Sequence, residues 1–451
     1  MRDFTAFDAE IDAQRDASVL ALVELCRVPC ISAQGIGVAE TSEYVARLLR
    51  DSDVAAQLLE TDGAPLVYGE AGSGERTLLI YNHYDVQPPE PLDEWTTPPF
   101  EPTMRDGKLY ARGVADNRAD LLARILAVRA WQCTFGPLPL RLRWAIEGEE
   151  EVGSPSLAAA VRRHHALLTA DGCLWECGGL DEEDRFEIAL GCKGDYYADI
   201  WVEGPAYDLH SSLAAIVPNP AWRLTWALAT LKASDETITI DGFEECVRPP
   251  SSAEEALLEA MPLAEDKMRA ELGIPAFING LSGTALKHKY LFEPTCTISG
   301  LLAGYTGEGS KTVMPARASA KLDVRLVPRL DPETVDRLLR AHLDRRGFAD
   351  VQVRRTDGGL RAVRSSPDSA VVQAAIDAAR PLYGEPVVSP NFAGSGPMDS
   401  IGEDLGLPLV AAGGVGYPGC RAHAPNEHIR TDDYIRGIKY IARLIDRFAE
   451  G

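Results

Sequence analysis

Between Glu147 and Ser154 the chain reads Glu-Gly-Glu-Glu-Glu-Val-Gly-Ser, four carboxylates in five residues. They follow a run that alternates like a strand, with Leu140, Leu142, Trp144 and Ile146 on one face. Like charges this close repel, and a fold tolerates them at the end of a buried strand only if cations neutralise them or the acids splay into water. Alone, the run suits a cation site or a solvated acidic turn. Other strand ends supply partners. Thr77–Tyr81 is apolar and runs into Asn82-His83-Tyr84-Asp85-Val86. Ligands gather outside the carboxyl ends of strands in open α/β sheets, and residues two apart on an extended chain point the same way. His83 and Asp85 therefore suit a metal-binding imidazole with an acid holding its other nitrogen. Asp171–Glu176 again ends a strand-like run on an acid. Asp116 precedes a helical stripe of Leu122, Ile125, Leu126 and Val128, where it reads either as an N-terminal cap or as a carboxylate bridging two metals. His423 lies in Cys420–Glu427, just before the closing helix. His83, Asp116, Glu150 or its neighbours, Glu176 and His423 make a borderline-hard donor set suited to zinc, with manganese or cobalt as alternatives. Two metals sharing one acid would account for the surplus of carboxylate.

These residues need strands and loops to hold them. Periodicity predicts helices over about 8–28 and 42–49, strands at 66–68 and 77–81, and a helix begun by Ser154-Pro155. Near Gly191 the texture turns β-rich. A helix near 221–231, strands at 295–300 and 319–327 and a helix over 331–345 suggest a small α+β layer. From about 362 the α/β texture returns, with a helix over 370–382, the strand Leu409–Ala411 and a closing helix through Tyr434, Ile438, Ile441 and Ile445. The expected organisation is a catalytic α/β domain from 1–190 and 362–451, interrupted by an inserted domain over 191–361. Gly304–Thr312 resembles a phosphate loop but fails, because Ser310 interrupts the Gly-Lys step and a strand follows where a helix is required.

With 451 residues and a net charge of −23, the chain has room for more than one core and no basic cluster to attract nucleic acid or an anionic membrane. Its start lacks the apolar stretch of a signal peptide, and no later run is long enough to span a bilayer, so a cytoplasmic location is expected. Nine scattered cysteines, an odd number, read as reduced thiols. Cys173 and Cys177 lack a second pair and read as small apolar filler.

The motifs His83-Tyr84-Asp85-Val86, Gly113 with Asp116, Glu150-Glu151-Val152-Gly153-Ser154, Glu176, Asp208-Leu209-His210-Ser211, Lys311-Thr312-Val313, Arg325-Leu326-Val327-Pro328 and His423 with Asn426-Glu427 run nearly end to end. In order and spacing the chain resembles the dinuclear-zinc metallopeptidase and deacylase family that includes carnosine dipeptidase, carboxypeptidase G, aminoacylase and acetylornithine deacetylase. The carnosine-dipeptidase-like members match its motifs best. The resemblance implies a three-layer α/β/α catalytic domain with an inserted α+β lid and dimerisation domain, and a homodimer formed through that domain. It implies that Asp116 bridges two divalent metals, with His83 and Glu176 completing one site and Glu151 and His423 the other. Glu150 becomes the general base acting on a metal-bridging water, and Asp85 orients His83. His210 is to stabilise the oxyanion in the partner's active site, Arg325 to clamp the substrate carboxylate, and Asn219, Thr312 and Ser395 to hold the substrate backbone.

Two departures bear on substrate. Asp116-Asn117-Arg118-Ala119 replaces the usual Lys-Gly ending, and Phe392-Ala393 stands where dipeptidases often carry an acid and a glycine. Glu176 matches deacylases and carboxypeptidase G, whereas dipeptidases tend to have Asp. The expected activity is hydrolysis of a dipeptide or similar small amide with a free C-terminal carboxylate. Deacylation of N-acyl amino acids is the alternative, and a non-catalytic scaffold that kept the fold is a third reading.

Overall fold

The computed structural model describes residues 2–356 and 358–451. The chain divides into two compact units, one of Met1–Gly191, Arg364–Pro390 and Pro397–Gly451, the other of Cys192–Val363 and Asn391–Gly396.

The strands of the first unit begin with β1 (Ala55–Leu59), β2 (Leu66–Ala71), β3 (Thr77–His83), β4 (Thr103–Arg105), β5 (Lys108–Tyr110), β6 (Arg141–Glu147), β7 (Gly172–Trp175) and β8 (Glu187–Ala189). An eight-stranded sheet has the order β1, β2, β6, β3, β7, Leu409–Ala411, β8 and Val387–Ser389. Every residue of β3 and β7 is buried, as expected for central strands covered on both faces, whereas the edge strand β1 alternates outward. β3 runs parallel to both β6 and β7, with His83 in register with Glu147. Three carboxyl ends therefore share one side of the sheet, and the acid run, the His83 turn and Glu176 leave from it together.

Helix α1 (Thr5–Ala13), α2 (Arg15–Cys26), α3 (Val38–Arg50) and α4 (Ala119–Phe135) join the C-terminal helix Thr431–Glu450 in this unit. The single helix expected over 8–28 is broken at Gln14, and both halves pack on α4 and the C-terminal helix. A smaller antiparallel sheet places β5 between β4 and His428–Arg430.

In the second unit four antiparallel strands have the order Thr297–Ala303, Arg317–Leu326, Gly194–Glu203 and Gln352–Arg355. Strict alternation along Gly194–Glu203 buries Tyr196, Ala198, Ile200 and Val202 with Leu224 and Leu339 from the helices Pro220–Leu228 and Pro332–Arg345. Asn219 and Asp331 cap those helices, each followed by Pro at the first turn. The residues after Gly304 lead into the short strand Val313–Met314, as the rejected phosphate loop requires. Among the described residues no helix is long and apolar enough to cross a membrane.

Candidate metal centre

His83 is the last residue of β3, and its ring is fully buried. Nδ1 lies 3.1 Å from the Asp85 carbonyl oxygen and 3.3 Å from Asp85 Oδ1, so a neutral ring keeps its proton there and turns the Nε2 lone pair inward. That Nε2 is 3.1 Å from Asp116 Oδ1 and 3.3 Å from Glu176 Oε2. His423, at a positive φ of 61°, places its own Nε2 3.0 Å from Asp116 Oδ2 and 3.1 Å from Glu151 Oε2. Asp116 thus gives one oxygen to each imidazole. It does not cap α4, whose N-cap is Arg118 without a side-chain cap bond. Ligand atoms of His83, Glu150 and Glu176 lie within 4.8 Å of one another, as do those of His83, Asp116 and Glu151.

Lone pairs on nitrogen and carboxylate oxygen facing each other at these distances repel unless a proton or a cation lies between them. At zinc–ligand bonds of about 2.0–2.1 Å, neighbouring tetrahedral ligand atoms stand roughly 3.3–3.4 Å apart, close to the separations found here. By their closest contacts the donors form two sets sharing Asp116, one with His83 and Glu176 and one with His423 and Glu151, and they fit a pair of divalent cations. Without cations the protons must bear the imbalance. Hydrogen bonds to Asp116 and Glu151 push His423 up to about 10. Burial opposes a charged His83, yet Glu176, Asp116 and Asp85 hold its pKa well above the ordinary value. Burial, reinforced by Glu151, Asp116 and Asp85, raises Glu150 to about 7 against the pull of His83.

The surrounding residues fix these ligands. Glu427 is buried, and its two oxygens accept from Arg112 Nη1 (2.7 Å) and the backbone amides of Gly113 (2.7 Å), Ala115 (2.8 Å) and Asp116 (3.1 Å), which ties the Asp116 backbone in place. Asn117 Nδ2 donates to Glu176 Oε2, and Asn82 Nδ2 donates to Asn117 Oδ1 at 3.3 Å. Buried Arg124 in turn holds Asn82 Oδ1 (2.9 Å) and the carbonyls of Tyr81 and Trp175 (both 2.7 Å). Gln87 Nε2 donates to Glu151 Oε2 at 2.9 Å, and Asp85 Oδ2 accepts from the Glu151 amide at 3.2 Å. Glu147, register partner of His83, is turned inward to Tyr81 and Ser154, and burial raises its pKa to about 8. Sequence reasoning missed Asn82, Asn117, Arg124 and Gln87. Their only signal was polar residue type beside candidate ligands, while Glu427 was visible only as part of a motif.

The second unit carries the other residues named from the sequence. Arg325 Nη1 donates to Ser395 Oγ at 2.9 Å, its Nε is 3.3 Å from Asp323 Oδ1, and Ser395 Oγ donates to the Gly194 carbonyl at 2.9 Å. His210 is exposed, with Nδ1 2.9 Å from Ser212 Oγ and 3.2 Å from the Ser212 amide, so Nε2 faces away from its own turn. The Asn219 side-chain oxygen is engaged as a helix cap on the Ala221 amide at 2.8 Å, leaving its Nδ2 for any ligand. Thr312 is exposed, and its carbonyl accepts from the Ser211 amide at 3.0 Å.

A mixed, largely parallel sheet whose strand ends gather two imidazoles and four carboxylates is the layout of a metal-dependent hydrolase. A profile of peptidase family M20/M25/M40 matches residues 79–447, and the chain belongs to that family of metal-dependent peptidases. It is 27% identical over 467 residues to the Cys-Gly metallodipeptidase dug1 of Schizosaccharomyces pombe, covering 97% of each chain. It is 27% identical over 475 residues to the human Beta-Ala-His dipeptidase, covering 98% of this chain and 92% of the other. The solved M20 family metallo-carboxypeptidase Sso-CP2 from Sulfolobus solfataricus superposes with a TM-score of 0.86 at 37% identity, over 96% of this chain and 99% of that one.

Proposed function

We propose that this chain is a dinuclear-metal exopeptidase that hydrolyses dipeptides and related small peptide amides bearing a free C-terminal carboxylate. The observation that carries the reading is Asp116 giving one oxygen to His83 beside Glu176 and the other to His423 beside Glu151, with Glu150 next to His83 and Glu176. His83, Asp116 and Glu176 would hold one cation, and His423, Asp116 and Glu151 the other. Zinc suits the imidazole and carboxylate donors, with manganese or cobalt as alternatives. Such cations polarise a scissile carbonyl and make water a nucleophile at neutral pH. Glu150 takes the proton released by that water and delivers it to the leaving amine. Its buried surroundings favour proton uptake. Asp85 keeps the His83 proton on Nδ1, so Nε2 remains a donor atom.

In the second unit Arg325, steadied by Ser395 and Asp323, is assigned the substrate carboxylate. His210, with Nδ1 occupied, is assigned the oxyanion through Nε2, and the Asn219 Nδ2 and Thr312 the substrate backbone. A homodimer through this unit accords with its exposed apolar surface, which includes Ile298, Leu301 and Leu302 on the edge strand and the stacked Trp222 and Trp226. Nine cysteines outside any disulfide suit a reducing, cytoplasmic setting.

N-acyl-amino-acid deacylation is the second reading, favoured by Phe392-Ala393, which offers no acid to a substrate amine. Zinc- or cobalt-loaded protein assayed on free-amine dipeptides against N-acetyl and N-succinyl amino acids separates the two. Turnover of the acylated set alone would overturn the peptidase reading.

A further inference from the structure

The small sheet of the first unit carries charge that the metal centre does not use. Its hairpin turns at Asp106-Gly107, with φ of 49° and 74°, as a two-residue type I′ turn demands. That turn sets Arg105 directly opposite Lys108, and the next pairing sets Lys108 opposite Arg430. Directly opposed residues of antiparallel strands share a face, and like charges so placed are destabilising. Three cations therefore stand in one cross-strand row. The neighbouring row on that face is Thr103, Tyr110 and His428. The Arg105 guanidinium lies 3.8 Å from the Tyr110 ring centre, Tyr110 stacks on His428 at 4.6 Å, and Arg430 covers Tyr417 at 4.0 Å.

Carboxylates balance only one end of the row. Arg430 is paired with Asp184 (2.7 Å) and Asp433 (3.0 Å). Among the described residues Arg105, Lys108 and Arg421 have no carboxylate partner, and Nε and Nη2 of Arg105 are buried without an acceptor. His428 adds no negative charge, for its Nδ1 donates to the Asn426 carbonyl at 2.8 Å while Nε2 accepts the Tyr417 hydroxyl at 2.6 Å and lies 3.4 Å from Lys108 Nζ. Burial holds its pKa below the ordinary histidine value, with Lys108, Arg421 and Arg105 adding to that effect against the Asn426 bond. In a chain with 68 acids and 45 bases, a carboxylate on any flanking strand could have relieved this repulsion.

We propose that this face is a binding site for a tetrahedral oxyanion of the phosphate class, free or as the phosphoryl group of a small ester, taken by Arg105 and Lys108. The segment that ends in this sheet also carries His423 and Glu427, so an occupant would steady the loop that supplies the second imidazole. The site is separate from the metal donors and does not depend on the peptidase reading.

The test uses the metal-loaded full chain, titrated calorimetrically with inorganic phosphate and with phosphoserine at constant ionic strength, with chloride as control. Wild type is compared with Lys108→Gln and with the Arg105→Gln/Lys108→Gln double variant. The expected result is saturable binding of one anion per chain, weakened at least tenfold by Lys108→Gln, with the preference between the two probes naming the source. In phosphate-free buffer Lys108→Gln should melt at or above the wild-type temperature, because it relieves the cationic row. The proposal is overturned if neither probe binds, if chloride acts equally, or if binding persists in the double variant and vanishes with the metals. It is also overturned if Lys108→Gln lowers the melting temperature and leaves binding intact, which would make the row purely structural.

Discussion

Replacing Glu427 by glutamine should loosen the proposed metal centre from behind while leaving every proposed ligand side chain in place. The carboxylate accepts four hydrogen bonds, two on each oxygen, from Arg112, Gly113, Ala115 and Asp116. Glutamine keeps one acceptor oxygen and sets an NH₂ against two donors. Bonds to a charged acceptor contribute about 1.5–3 kcal/mol each, so losing two costs roughly 3–6 kcal/mol. Breaking one side of a buried ion pair gives about 3–5 kcal/mol by a separate route, and Arg112 would keep its 3.3 Å hydrogen bond to the Pro88 carbonyl and its place over the Trp95 ring but lose its carboxylate. Urea unfolding of metal-free protein should show the midpoint falling at unchanged slope. Calorimetric metal titration should show affinity falling about 10- to 100-fold, the usual effect of losing an outer support. The wild-type midpoint together with wild-type metal affinity would refute the account of Glu427 as the tether of the Asp116 backbone.

Glu150→Gln should lower kcat by about 10²- to 10⁴-fold and leave two metals bound per chain by elemental analysis; unchanged turnover would remove Glu150 from the proton path. Arg325→Lys should raise KM about tenfold or more on substrates with a free carboxylate and leave C-terminal amides unaffected; an equal effect on both would rule out carboxylate recognition. The metal-free protein should melt higher at pH 6 than at pH 9. Burial raises Glu147 to about 8 and Asp120 to about 7, so each binds its proton more tightly in the folded chain. That stabilisation is complete below the unfolded pKa values of 4.5 and 3.8 and is lost as pH rises through the folded ones. His423, raised to about 10 by its carboxylate neighbours, acts in the same direction between 6.5 and 10. Saturating zinc should flatten the dependence, because it selects deprotonated ligands. A metal-free melting temperature that climbs from pH 6 to pH 9 would contradict the raised pKa values.

What could be read from the sequence was whatever a strand imposes locally. Alternation and strand-end acids pointed to His83, Asp85, Glu176 and the acid run, and β3, β6 and β7 bring all of them to one side of the sheet. Asp116 stayed undecided between cap and ligand because the choice rests on His423, 307 residues away. Asn117 and Arg124 looked like ordinary helix-entry and helix residues, and only the packing of α4 behind the strand ends turns them toward Glu176 and Asn82. The break at Gln14 was invisible to hydrophobic spacing, which carries the same stripe through both halves. Residues 391–396 are compactly joined to the second unit, although their sequence lies within the returning α/β texture. Roles beyond metal ligation, those of Arg325 and His210 above all, came from family resemblance, since an exposed histidine and a sheet arginine have no local signature.

The Glu427 tether also sets a timetable for synthesis. Asp116 and Glu427 are separated by 311 residues, and the whole second unit, its short 391–396 segment included, is encoded between them. At about 5–20 residues per second a ribosome needs roughly 15–60 s to cover that distance. Once Glu176 has been made, and until His423 and Glu427 follow, the nascent chain presents His83, Asp116, Glu150 and Glu176 as an acid-rich half-site with neither its second imidazole nor the carboxylate that holds the Asp116 backbone. A cation captured then meets an incomplete shell, and the second unit can fold before the catalytic one closes. Completion of both donor sets therefore waits for the segment that carries His423 and Glu427.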